Sequence, residues 1–469
     1  MMLVASSLLA LLEASRFHEL QRLTQLQTQI AFESVFGKYN NDLWKEYHIL
    51  SCKRDSLENG LLEFGNRRIE DKDAGSNFFQ FFATDVDVES FMRLTDADGL
   101  VFVQAAAGYM EESLLFEAAK ELYNRYEGIK NLQEGSFYDF SSIERALDAL
   151  EKEDDFSNSI GSTGENLAEG RKKEERISSG KNLLIEIQNL QRNGVLSLVI
   201  EDINMLSNKE IELSQMISHR ILPEKNMSFS TETDWYTRVL FQQYLLKHMS
   251  CYTKQEGHEM DYELEYIIGG KNTESENLKV VVNQLLAMRE AANFAYLLSC
   301  PSKIEEANIL AISIVGGTLN PMVVEVVKLA ILAAWAFAES ILDIRTLLTG
   351  GQIALLKSNE NWTLDVDNIE KIGKGYTIAK NCSNGLSYVE YLGILLLFQE
   401  ETQAAKRTMD MQELTLQKDF ARGDVFFEDW IVMASVEVTY RYAPVFFSIQ
   451  TVIPDFRYEM HAKKSFSYY

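Results

Sequence analysis

The residues best able to do chemistry in this sequence fall into a few small groups. Gly269-Gly270-Lys271 has the look of a phosphate-binding loop. Such a loop needs a Gly five residues before its Gly-Lys pair and Ser or Thr after the Lys, so that backbone N–H groups cradle the phosphates and the hydroxyl meets the metal. Glu265 and Asn272 occupy those positions, which leaves a turn. Asp96-Ala97-Asp98-Gly99 has the spacing of part of an EF-hand loop, but Leu94 and Ala105 stand at the first and twelfth ligand positions. Carboxylates are required there, so only an irregular cation site is left open.

The six histidines (His18, His48, His219, His248, His258, His461) show no HExxH or other tight metal spacing. His258-Glu259 is an isolated pair, expected in a solvent-exposed loop. Cys52, Cys251, Cys300 and Cys382 form no CxxC pair, so neither a zinc ribbon nor a thioredoxin motif follows. Disulfides and isolated buried thiols both remain open for them. No G-x-S-x-G elbow is present. The sequence therefore assigns no catalytic, cofactor-binding or metal-ligating residue and calls for no cofactor. The chain is read as non-enzymatic, with a site assembled in space from distant residues as the alternative.

Charge narrows the partners. Over 469 residues, 70 Asp and Glu stand against 45 Lys and Arg, a formal net charge of −25. Nucleic-acid binders present basic surfaces that displace counterions. The basic run Arg171, Lys172, Lys173 and Arg176 is interleaved with Glu169, Glu174 and Glu175, as in a solvated linker. No nucleic-acid partner is expected.

The elements that would position any site are mostly helical. Residues 1–50 form an apolar, then amphipathic, helical stem, with Leu12, Leu20, Leu23, Leu26 and Ile30 near helical spacing and no Pro or Gly before Gly37. A polar and aromatic transition follows over residues 39–47. Residues 51–150 read as mixed α/β, with strand-like pieces at 78–88 and 100–103 and helices at 105–126 and 141–150, the latter with Ser141 and Glu144 as a capping box. Residues 151–181, rich in Asp, Glu, Ser, Gly and Lys, cannot bury enough to offset their ordering entropy and read as an acidic flexible linker or insertion.

Residues 182–469 read as a helical body ending in antiparallel strands. Helices are expected from 182 to 221, from 235 to 249 and from 277 to 298. The apolar run 309–315, Gly316-Gly317 and the stretch 321–348 read as a helical hairpin. A membrane span over 322–342 is opposed by Glu325, Lys328, Glu339 and Asp343. Val436, Val438, Tyr440 and Tyr442 alternate with polar residues, as do Phe456, Tyr458, Met460 and Ala462, giving two half-buried strands. The fold class is α+β, with a long N-terminal helix, a mainly helical body and a C-terminal antiparallel sheet.

The opening run from Met1 to Leu12 has no charge before Glu13. A spanning helix needs about 20 apolar residues, and a signal peptide wants a basic n-region. Part of a membrane anchor whose first half lies upstream is the favoured reading, with a buried helix and a signal peptide as alternatives.

Four parts of the chain then show a common likeness. Leu11-Leu12-Glu13-Ala14-Ser15-Arg16, Phe36, Tyr39-Asn40 and Leu43-Trp44-Lys45-Glu46-Tyr47 resemble the N-terminal stem of an uncharacterised bacterial family. Residues 263–271, 333–340 and 438–442 carry the same likeness. That family is similar to the TadE- and TadG-type pseudopilin-like proteins of tight-adherence (Tad) pilus systems. The resemblance implies a protein anchored in the cell membrane by its N-terminal helix, with most of the chain outside the cytoplasm and pilin-like or other surface-assembly proteins as partners. Arg16 and Arg22, just after the apolar run, would by the positive-inside tendency sit in the cytoplasm; the resemblance favours the opposite orientation. In pilins a Glu within the apolar stem pairs with a neighbouring subunit's amine. Glu13 lies at the end of the run, where a local pair with Arg16 is expected.

Overall fold

The helix that opens the chain and the strands that close it build one core together. The computed structural model describes residues 2–67, 81–111, 194–223, 233–255, 258–315, 321–372, 376–419, 425–446 and 457–469, with scattered single residues between them. In chain order the main elements are α1 (Met2–Phe36), α2 (Asn41–Tyr47), β1 (Cys52–Lys53), α3 (Asp55–Arg67), β2 (Phe82–Arg93), α4 (Leu100–Glu111), α5 (Trp235–His248), α6 (Glu263–Gly269), α7 (Glu274–Ser299), α8 (Pro301–Val315), α9 (Pro321–Leu348), α10 (Tyr388–Leu397), α11 (Glu401–Asp419), β3 (Trp430–Tyr442) and β4 (Tyr458–Ser467). The class is α+β. Contacts gather into two units: Met1–Phe116 with Leu213–His248 and Glu400–Tyr469, and Glu117–Glu212 with Met249–Gln399.

In the first unit β3 is the central strand, pairing antiparallel with β1, β2 and β4. Its alternation turns Val436, Val438, Tyr440 and Tyr442 inward, as their period-2 spacing requires. Val438 pairs with Ala462 and Tyr440 with Met460, placing both strands' apolar residues on one face. Leu20, Phe32, Val35 and Phe36 of α1 cover that face together with Leu57 and Leu61 of α3. Polar residues on the covered side of α1 are satisfied: the Thr28 and Tyr440 hydroxyls lie 2.9 Å apart, and Gln27 donates to the carbonyls of Phe64 and Gly65. Such pairing offsets the cost of burying them.

Three expectations need correction in this unit. The segment around 39–47 contains a helix, α2, whose N-cap Asn40 accepts from the N–H groups of Asp42 and Leu43. Residues 100–103 open α4 and are helical, not strand-like; a short apolar run fits either period. Leu26 lies on the solvent side of α1, off the packed stripe. The strand-like piece expected at 78–88 is β2, which begins at Phe82 and continues to Arg93.

In the second unit α7, α8 and α9 pack together, with α6 and α10 against α7. Thr273 caps α7 by accepting from Glu276 N–H, and Ser387 with Glu390 forms a full capping box on α10. α9 is buried from Ala330 to Leu348. Over residues 194–221 the expected continuous helix is absent: a single turn at Leu196–Val199 and 3-10 turns at Ile203–Met205 and, in the first unit, Leu213–Gln215 stand in its place. The Asp202 side chain takes the Asn204 N–H, a local bond that competes with the helical ladder, and Ile211 N–H is held by the Asn272 carbonyl. The capping box at Ser141 and Glu144 and the linker at 151–181 lie outside the described residues, as do Gly316-Gly317 and Phe456.

Candidate functional site

Four places in the structure concentrate chemistry. The first is the base of α1. Arg16 donates to Glu13 at 2.8 Å and to the Ala443 carbonyl, while the other Glu13 oxygen accepts from Phe446 N–H at 3.1 Å. The local pair expected for Glu13 forms, and it is extended into a clamp on the end of β3. Every residue from Leu3 to Leu12 is exposed. Leu3 keeps 86% of its surface and Leu11 71%, and Arg16 is the first buried residue of the helix. The stem is therefore packed over its second part only.

The second place lies inside the second unit. Asp343 and Glu339, one turn apart on α9, face Arg289 of α7 and Lys357; all four are buried. Arg289 Nη2 meets Asp343 Oδ2 at 3.0 Å. Lys357 Nζ bridges Asp343 at 2.7 Å and Glu339 at 2.6 Å. The Glu339 carboxylate also accepts the N–H groups of Thr363 and Leu364. Asn293 and Tyr391 complete the hydrogen bonding around Asp343 and Arg289. Two cations and two anions cancel, and no lone charge is left for a reaction. This lattice bears on α9, the one helix among the described residues long and apolar enough to cross a membrane. Its charges meet protein partners, and more than half of its apolar stretch is buried.

The third place is a clamp on the loop before α6. Glu263 accepts from Ser250 N–H and hydroxyl, and its Oε2 lies 2.8 Å from His258 Nδ1. Glu265 accepts from Tyr252 N–H and the Tyr388 hydroxyl, and Glu274 accepts from the N–H groups of Asp261 and Tyr262. Burial pushes the Glu265 carboxyl up to about 7. His258 is thus largely buried against a buried carboxylate, not free in solvent as its isolated position suggested.

The fourth is a cleft of about 470 Å³ in the first unit, lined by Thr95, Asp96, Asp98, Ser218, Arg220 and Lys406 among others. Its charges are matched to one another. Asp96 turns back onto Arg93 N–H, Asp98 pairs with Lys406 at 2.8 Å, and Arg220 sits between Glu413 and Glu428. The two Asp side chains of the EF-hand-like stretch therefore do not converge. Ser218 donates directly to Asp410 at 2.6 Å, with His219 beside it; in a catalytic triad the carboxylate orients the histidine instead.

Ala97, Asp98 and Gly99 all take positive φ, of 54°, 57° and 91°. A Cβ on Gly99 would come within 3.0 Å of Ala405 and 3.1 Å of Met409. Gly99→Ala is expected to cost about 1–3 kcal/mol, read as a lower urea midpoint.

The remaining sequence candidates resolve simply. Gly270 caps α6 with φ of 61°, so Gly269-Gly270-Lys271 is a helix terminus followed by a turn. The four cysteines are free thiols. Burial raises Cys52 to about 12 and Cys251 to about 11, which keeps both protonated. The rings of His48 and His248 lie 5.3 Å apart. Among the described residues no group of three or more His, Cys, Asp or Glu could hold a metal ion. Arg171, Lys172, Lys173 and Arg176 lie outside the described residues.

The sequence missed the lattice and the clamp. Only the Glu339–Asp343 spacing on an apolar helix signalled the lattice, since charge there must find a partner.

The class so defined is an α+β protein with a partly packed N-terminal stem and a second unit held by buried ion pairs. The chain belongs to DUF5702, a family of unknown function, which it matches over residues 172–442. No curated protein and no solved structure gives a significant match.

Proposed function

We infer that this chain is a non-catalytic, membrane-anchored extracytoplasmic protein that serves a surface assembly as an accessory or pseudopilin-like component of the Tad-pilus type. One observation carries the reading: the apolar residues from Leu3 to Leu12 are exposed in a helix whose second part packs one side against the sheet and α3. A helix belonging to its own core would be packed along its length. Ten helical residues cover about 15 Å, about half of a hydrocarbon core, and exposed Leu and Val side chains favour transfer into lipid. The likeness of the stem and of β3 to the pseudopilin-related family supports the finer part of the reading. There the apolar stems would pack side by side and the acidic body would face outward.

A ligand-binding module is the second reading, favoured by the cleft at Asp96 and Asp98. The mutual pairing of its charged groups weighs against it, because a ligand would have to displace them.

Fractionation of expressing cells tests the anchor. The unaltered chain is expected with the membranes, and Leu8→Asp with Leu11→Asp should shift it to the soluble fraction. Both side chains are exposed, so stability should change by no more than about 0.5 kcal/mol. Recovery of the unaltered chain wholly in the soluble fraction would overturn the reading.

A further inference from the structure

Two histidines from distant parts of the first unit meet beside α4. His48 follows α2 with φ of 55°, in the left-handed region where histidine is one of the few non-glycine residues to settle. Its ring lies flat on Tyr109 of α4 at 4.4 Å and stands 5.3 Å from the ring of His248, the last residue of α5. His248 is buried, and its Nδ1 lies 3.1 Å from the Glu46 carbonyl. That contact fixes the proton on Nδ1 and puts the lone pair on Nε2. His48 is half-buried, and its Nδ1 is buried with no hydrogen-bond partner. Ring packing accounts for the stacked His48–Tyr109 pair, but a buried nitrogen left unsatisfied calls for a further partner.

We propose that His48 and His248 together hold one divalent transition-metal ion, leaving its remaining positions to water or an outside ligand. Two imidazoles on one tetrahedral zinc, each nitrogen at about 2.0–2.1 Å, set their ring centres roughly 5 Å apart, which matches the observed spacing. A ligating histidine gives its other ring N–H to a carbonyl or carboxylate, as His248 does to Glu46. Imidazole ligands suit zinc, copper and nickel, and not magnesium or calcium, which take oxygen. No set of three or more His, Cys, Asp or Glu forms a fuller cage among the described residues, so the site is open. Burial and then the Lys247 ammonium lower the His48 pKa, with Glu46 acting the other way; the ring is therefore neutral at pH 7, as ligation requires. Lys247, which reaches the Tyr109 hydroxyl at 2.9 Å, opposes a second cation and keeps the affinity modest. The proposal uses residues of the first unit beyond the stem and does not depend on the α1 anchor.

The test is calorimetric titration of nickel chloride into the full, untagged chain near neutral pH. One ion per chain is expected. His48→Phe keeps a ring stacked on Tyr109 and removes only the nitrogens, so it should fold and weaken binding by about tenfold or more. His248→Ala should do the same. His461→Ala, at an exposed histidine on β4, should leave the affinity unchanged. As a second measurement, copper(II) bound to the unaltered chain should show two imidazole nitrogens in its electron paramagnetic resonance spectrum. Absence of binding, an ion held equally well after His48→Phe, or a copper spectrum with fewer than two imidazole nitrogens overturns the proposal.

Discussion

Arg289→Met is expected to destabilise the second unit by about 3–5 kcal/mol, the range for removing one partner from a buried ion pair. Arg289 is wholly buried and donates to Asp343, Asn293, Tyr391 and the Leu355 carbonyl. Its loss leaves Asp343 and Glu339 to share the single cation Lys357. Two anions against one cation, out of reach of water, is the costly arrangement. Replacing both sides together, Arg289→Met with Asp343→Leu, should recover more than half of the loss, because the pair's Coulombic gain is nearly offset by its own desolvation. Urea unfolding of the full chain measures both. A double variant no more stable than the single one would show that the lattice's hydrogen bonds, not its charge balance, hold the unit.

Glu290, next in the chain on α7, gives the second large effect with the opposite sign. It is buried, its Oε1 has no hydrogen-bond partner, and burial raises its carboxyl to about 8 from an ordinary 4.5. Between these values the folded chain keeps a proton that the unfolded chain has released. The stability tied to Glu290 is therefore fully present below pH 4.5 and is lost as pH rises through about 8. Glu265, raised to about 7, adds a slope of the same sign ending near that pH. Glu290→Gln removes the Glu290 part. It should stabilise by up to about 5 kcal/mol at pH 9 and bring no gain at pH 4, one pKa unit being about 1.4 kcal/mol. Urea midpoints at pH 4, 7 and 9 measure this; a gain of equal size at all three would refute the titration.

How much of this was legible in the sequence depended on whether the signal was periodic. From Val436 to Tyr442 the inward residues of β3 alternate without interruption, as do Tyr458, Met460 and Ala462 of β4, and both strands were readable before any fold was known. β2 was read only in part, because register shifts after Ala83, Val88 and Met92 break its alternation. Val101 and Phe102 misled because four apolar residues fit strand and helix equally. The lattice could not be read, since Arg289, Asp343 and Lys357 come from three segments that only folding brings together. Glu339 and Asp343 were read as obstacles to a membrane span; what satisfies them lies elsewhere in the chain. The apolar character of Leu3 to Leu12 was plain from sequence, but that these residues stay exposed was not.

The pairing of the chain's first helix with its last strands also sets the order in which the molecule can be finished during synthesis. Tyr440, whose hydroxyl meets Thr28, and Val436, whose strand partner is Val88, leave the ribosome long after the residues they complete. All of Glu117–Glu212 and Met249–Gln399 intervenes. At about 5–20 residues per second, the covered side of α1 waits tens of seconds for its sheet. Throughout that interval Leu57 and Leu61 of α3 are made, but the strand residues that complete the cover of Leu20, Phe32 and Phe36 are not. The apolar side of the nascent stem thus lacks its sheet along its whole length, and only the arrival of β3 and β4 divides it into a buried part and an exposed one.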